Sequence, residues 1–92
     1  MKFDWDPNKA SANLVKHGVP FRRAILVFED PNRIDEKDDR KDYGESRTNT
    51  IGMVDAALII CVTHTDRDGI TRLISARPAN RKERKKYHEQ NN

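Results

Sequence analysis

Apolar residues follow two different periods along this 92-residue chain. Behind Asp6-Pro7, Ala10, Leu14 and His17 share one helical face. The Asp6 carboxylate can cap free backbone N–H groups, and proline at the first helical position loses no hydrogen bond. Lys16, His17 and Gly18 supply the cations and the left-handed residue that end a helix. Phe21, Ala24, Ile25 and Phe28 are spaced i, i+3, i+4, i+7 and predict a second short helix that stops before Asp30-Pro31. After Pro31 the spacing shortens to alternation. A weak strand is expected over Arg33 to Lys37, a charged loop from Asp38 to Gly44, a strand from Arg47 to Met53, and the strongest strand from Ala57 to Thr65. Asp66-Arg67-Asp68-Gly69 reads as a four-residue hairpin turn leading back through Ile70 to Ala76. Pro78 breaks the strand, Asn80 and Glu83 form a capping-box pair, and a basic helix follows from Arg81 to Glu89. The resulting layout is α+β: two N-terminal helices, a three- to four-stranded antiparallel sheet and a C-terminal basic helix, in a single domain over residues 1–92.

Composition narrows the function classes. Hydrophobic residues make up 35% and charged residues 36%, against roughly 45–50% and about 25% in ordinary domains, so the core is small. The net charge is +3, unevenly distributed. Arg77 to Lys86 holds six bases and one acid, whereas Glu29 to Glu45 holds eight acids and four bases. A basic end suits a polyanion and an acidic middle suits a basic protein. The one cysteine, Cys61, sits in the most apolar run, fits a reducing compartment and has no metal-ligand spacing. With no signal-peptide pattern and no membrane-length apolar stretch, a cytoplasmic protein without a cofactor or metal is expected.

If the polyanion that the basic end suits is RNA, cutting it without a metal would require a proton acceptor for the 2′-hydroxyl, cations at the phosphorus oxygens and an acid for the 5′-oxygen. If Thr65 pairs with Ile70 across the turn, His64, Thr71, Ser75 and Arg77 share one sheet face, while Arg72 falls on the other with Thr63 and Thr65. His64 suits proton transfer, although a lone strand histidine also serves as a structural hydrogen-bonding residue. Arg77 can hold a phosphate through its planar fork or form a rim salt bridge. Tyr87 can donate a proton, stack on a base or anchor the last helix. Arg81, Arg84, Lys85 and His88 make a basic stripe that fits a phosphate backbone, or simply a solvated helix face. Arg47 opens a strand beside the same region.

Three segments, residues 3–31, 47–65 and 71–89, carry W-D-x-x-K, K-H-G-V ahead of F-x-x-A, R-T-N-T-I-G, V-T-H-T, R-x-I-S-A-R and E-R-x-x-Y. In this order they resemble the BrnT toxin family. The resemblance implies a RelE-like fold and a ribonuclease toxin of a type II toxin-antitoxin system that inhibits translation and growth. It also implies a BrnA-like ribbon-helix-helix antitoxin through which the complex binds DNA. By motif it implies active positions at Arg47, His64, Arg72, Arg77 and, in E-R-K-K-Y, Arg84 with Tyr87; from the basic stripe, Arg81, Arg84 and Lys85 are the positions expected on the RNA. Pro20 departs from the family pattern, which tends to have a capping residue there. Two other readings fit the same charges: a nucleic-acid-binding module without catalysis, and a regulatory protein that docks a partner through its acidic segment.

Overall fold

The computed structural model describes residues 1–38 and 44–91. The expected loop over 38–44 therefore lies outside the described residues except at its two ends. The chain runs β1 (Lys2–Asp4), α1 (Pro7–His17), α2 (Phe21–Ala24) continuing as a 3-10 turn (Ile25–Glu29), β2 (Ile34–Asp38), β3 (Arg47–Val54), β4 (Leu58–Arg67), β5 (Ile70–Pro78) and α3 (Arg81–Gln90).

Both predicted helix boundaries of α1 have their local cause. Asp6 accepts from the Asn8 backbone N–H at 2.8 Å, and Gly18 closes the last turn at φ 74°. Pro20 precedes α2 without a side-chain cap, and the helix tightens to 3-10 after one turn. At α3, Asn80 and Glu83 make the reciprocal capping box.

The sheet corrects the expected one in three ways. It has five strands in the order β1-β5-β4-β3-β2 and is mixed, because β1 pairs parallel to β5 through Phe3 and Thr71. A three-residue strand whose partner is some 70 positions away leaves little local periodicity to read. The hairpin turn holds two residues, not four. Arg67 pairs with Ile70, and Asp68 and Gly69 take positive φ of 54° and 81°, the two left-handed positions that match strand twist. The register then shifts between Thr63 and His64, since His64 faces Leu73 while Thr63 faces Ser75. Ile74 is the extra residue of this bulge, and beyond it the alternation of β5 is inverted.

Helices cover both faces of the sheet. Under α1 and α2, Ile60, Val62, Leu73 and Ala76 pack with Val19, Phe21, Ala24 and Val27. Beneath α3, Ile34, Ile51, Ile59 and Cys61 pack with Ala79 and Tyr87. Buried Asn13 of α1 ties the first layer to the free edge of β5: it bonds the Ala76 N–H and C=O at 3.0 and 2.8 Å, and the Val19 carbonyl at 3.1 Å. Gly52 lets the 3-10 turn approach β3, because a Cβ there would meet Val27 Cγ2 at 2.7 Å.

Candidate nucleic-acid interface

On its α3 side the sheet divides into an apolar half under the helix and a polar half beyond it. Register partners place Arg47 of β3, Thr65 of β4 and Arg72 of β5 in one row, with Asp38 and Asp4 at its ends. The next row holds Glu36, Asn49, Thr63 and Ser75, and the one after it ends in Arg77 beside Cys61. Strand spacing sets Arg47 and Arg72 ~10 Å apart at Cα, and Arg77 lies ~13 Å further along the sheet. Three guanidinium-bearing positions thus surround a floor of amide and hydroxyl groups.

The three side chains are held, not loose: Arg47, Arg72 and Arg77 are 20%, 27% and 31% exposed. Arg72 meets Asp4 at 3.2 Å and Arg47 meets Glu45 at 3.6 Å. Arg77 donates both arms of its fork to Glu83 at 2.7 and 2.9 Å. Those bonds hold the Glu83 carboxyl below the usual carboxylate range, against the opposing effect of burial. Arg77 therefore finds an acid in the first turn of α3. Asp4, Glu45 and Glu83 each offer a carboxylate, the side-chain group whose charge and geometry come nearest to a phosphate oxygen pair.

His64 and Tyr87 stand elsewhere. The bulge and the alternation of β4 turn His64 to the α1/α2 face, where its ring lies edge-on to Phe28 at 4.9 Å. Its Nε2 is 2.7 Å from Thr50 Oγ1, and that hydroxyl donates to Asp35 at 2.7 Å. Since the Thr50 proton is used on Asp35, Nε2 carries the proton of the imidazole. Burial lowers the pKa of His64 below 6.5 while the Asp35 charge pulls the other way. Tyr87 is buried at the opposite end of the α3 face and donates to Asp30 Oδ2 at 2.6 Å. Burial, and then the bond and charge of Asp30, push its hydroxyl up to about 12. The expectation that either residue handles protons beside the arginines thus meets a geometry that separates both from them.

On α3, Arg81, Arg84 and Lys85 are exposed. Arg84 leans back to donate to the Ala79 carbonyl at 2.6 Å, which sets it past the end of β5 and away from the floor. Asp4 and Asn49 also line this face and are not among the positions that the sequence motifs assign to it. The alternation of Arg47 and Asn49 along β3 carried a signal for the second, whereas the first depended on the unforeseen β1. Among the described residues, no three His, Cys, Asp or Glu side chains gather to hold a metal ion, and no helix is long and apolar enough to cross a membrane.

Comparison with known proteins adds two findings. Residues 5–83 match the family described as "Ribonuclease toxin, BrnT, of type II toxin-antitoxin system". The fold is similar to the crystal structure of the Brucella abortus ribonuclease toxin BrnT, with a TM-score of 0.66 and 25% identity over 88% of this chain and 99% of that one. No match to a curated protein was found. With arginines around a polar sheet surface and the family pattern running through nearly all its elements, this chain belongs to the BrnT family of ribonuclease toxins of type II toxin-antitoxin systems.

Proposed function

We propose that the chain cleaves RNA without a metal ion on the polar half of the α3 face, using Arg47, Arg72 and Arg77. The observation that carries this is their placement around one polar floor. An RNA phosphate displaces the carboxylates that hold the arginines in the free protein. Attack by the 2′-oxygen on phosphorus expels the 5′-oxygen and leaves a 2′,3′-cyclic phosphate and a 5′-hydroxyl. The guanidinium groups stabilise the extra charge on the phosphorus oxygens, and the proton transfers pass through water at this face. Arg81, Arg84 and Lys85 hold flanking phosphates. His64 and Tyr87 act on the frame of the site. In the cell, this chain works in the cytoplasm, arrests translation and growth, and is neutralised by a BrnA-like ribbon-helix-helix antitoxin that carries the complex to DNA.

Purified protein incubated with RNA in excess EDTA tests the chemistry. Cleavage that persists, with 2′,3′-cyclic phosphate ends by mass spectrometry, is the expected result. Arg72→Ala and Arg77→Ala should each cut about 10²-fold more slowly, the cost of removing one donor from a charge-stabilising site. Wild-type rates in both variants would remove this face from the reaction.

A further inference from the structure

Beside Arg77, between β2, the middle of β3 and the first turn of α3, lies a cleft of about 310 Å³ whose walls include Glu36, Asn49, Asn80 and Glu83. Glu36 and Asn49 are direct cross-strand partners, which sets their Cβ atoms about 5 Å apart on one face. The Thr63 hydroxyl donates to Asn49 Oδ1 at 2.6 Å. That bond fixes the orientation of the amide and leaves Nδ2, with two donor hydrogens, without a partner among the described residues. Glu36 bonds the Lys86 ammonium through Oε2, and its Oε1 has no partner among the described residues. The cleft therefore offers a carboxylate acceptor next to an oriented amide donor, adjacent to a phosphate-binding arginine.

This pattern selects among nucleobases. Guanine presents N1–H and N2–H donors next to the O6 acceptor, so its edge can satisfy both Glu36 and Asn49. Adenine and cytosine turn an acceptor, N1 or N3, toward the carboxylate and an exocyclic amine toward the amide donor. Uracil can pair its N3–H and O4 but has no second donor. We infer that the Glu36–Asn49 cleft is a guanine-reading subsite, which directs cleavage to phosphates next to guanosine. The inference rests on the RNA-cleaving reading above. A site built to bond two donors discriminates against an edge that lacks them by roughly ten- to a hundredfold.

The test maps cut positions on a mixed-sequence RNA by end labelling, for the wild type and for Asn49→Ala, and repeats the mapping with inosine in place of guanosine. Wild-type cuts should concentrate next to guanosine at least tenfold over adenosine. Inosine, which lacks the N2 amine, should weaken that preference. Asn49→Ala should level it, bringing the share of cuts next to guanosine within each digest down to that next to adenosine, with the thermal midpoint kept. Even cutting over the four bases by the wild type, or an unchanged guanosine preference in Asn49→Ala, overturns the subsite and leaves the nuclease reading standing. Absence of any cutting overturns the nuclease reading instead. Calorimetric titration of the wild type with guanosine 3′-phosphate and adenosine 3′-phosphate then decides the subsite, with equal affinity counting against it.

Discussion

Arg72 and Arg77 stand an odd number of residues apart on β5 and yet face the same side of the sheet. Regular alternation would oppose them. The bulge at Ile74 inverts the phase between them, so Arg72 opposite Thr65 and Arg77 opposite Cys61 both look toward α3. If they serve one phosphate, their removal is not additive. Each alanine variant should slow cleavage about 10²-fold, and the double variant should fall short of the product of the two. Single-turnover rates on one oligonucleotide check this. A fully multiplicative loss would mean separate phosphates.

Phosphate binding by α3 should appear in salt dependence. Replacing Arg81, Arg84 and Lys85 with glutamine should flatten the slope of log affinity against log salt by up to about 2, at about 0.7 for each single-strand phosphate no longer neutralised. Binding to a catalytically impaired Arg77→Ala background, measured over a salt series, gives the slope. An unchanged slope would return these residues to the solvated helix face.

On the proposed reading, His64 links pH to stability and not to the chemical step. Its pKa is depressed in the fold, so its neutral form stabilises the protein above 6.5. That contribution is lost as pH falls from 6.5 through the folded value. Denaturation midpoints should therefore drop over this window in the wild type and less in His64→Gln. The cleavage rate of folded protein should show no inflection that His64→Gln abolishes. Such an inflection would place a proton transfer on the imidazole.

The Tyr87–Asp30 bond joins α3 to the segment before β2 and loosens at both pH extremes. Burial alone would raise the Asp30 carboxyl, but bonds from Tyr87, Met53 N and Asn32 N, with the Arg33 charge, hold it below 3.8. Its contribution is present above 3.8 and is lost as pH falls through the lowered value. Tyr87, raised from 10.0 to about 12, contributes fully below 10 and loses its contribution as pH rises through about 12. Tyr87→Phe should cost about 1–3 kcal/mol at neutral pH, since a carboxylate loses its donor, with cleavage retained. Urea titrations across pH read both limits.

Asn13→Ala should be among the most damaging substitutions. It strands the Ala76 N–H and the Val19 carbonyl in a buried place at a cost of about 2–4 kcal/mol. In a domain this small that lowers the thermal midpoint by roughly 10–25 °C. A shift of under about 4 °C would show that water replaces the amide.

Local signals were legible. Asp6-Pro7 and Gly18 bound α1, Asn80 with Glu83 starts α3, and Ala57 to Thr65 contains most of β4. The turn after β4 falls where the sequence puts it but is two residues shorter. Asp68-Gly69 alone can supply both left-handed residues, and the strands run on through Asp66 and Arg67 because the charged side chains there stay exposed. Arg47, Arg72 and Arg77 are visible through family motifs, while the grouping of the last two comes out reversed because a bulge of one residue has no periodic signature.

The sequence by itself determined the caps, the basic final helix, the apolar runs and the family, because these depend on neighbours within a few positions or on motifs in order. Tertiary structure decided that Asp4 reaches Arg72, that His64 turns away from the arginines, and that Tyr87 meets Asp30. Those relations depend on which strands pair and where one ladder slips. Pairing energy is gained between segments far apart in the chain and is invisible in any local window.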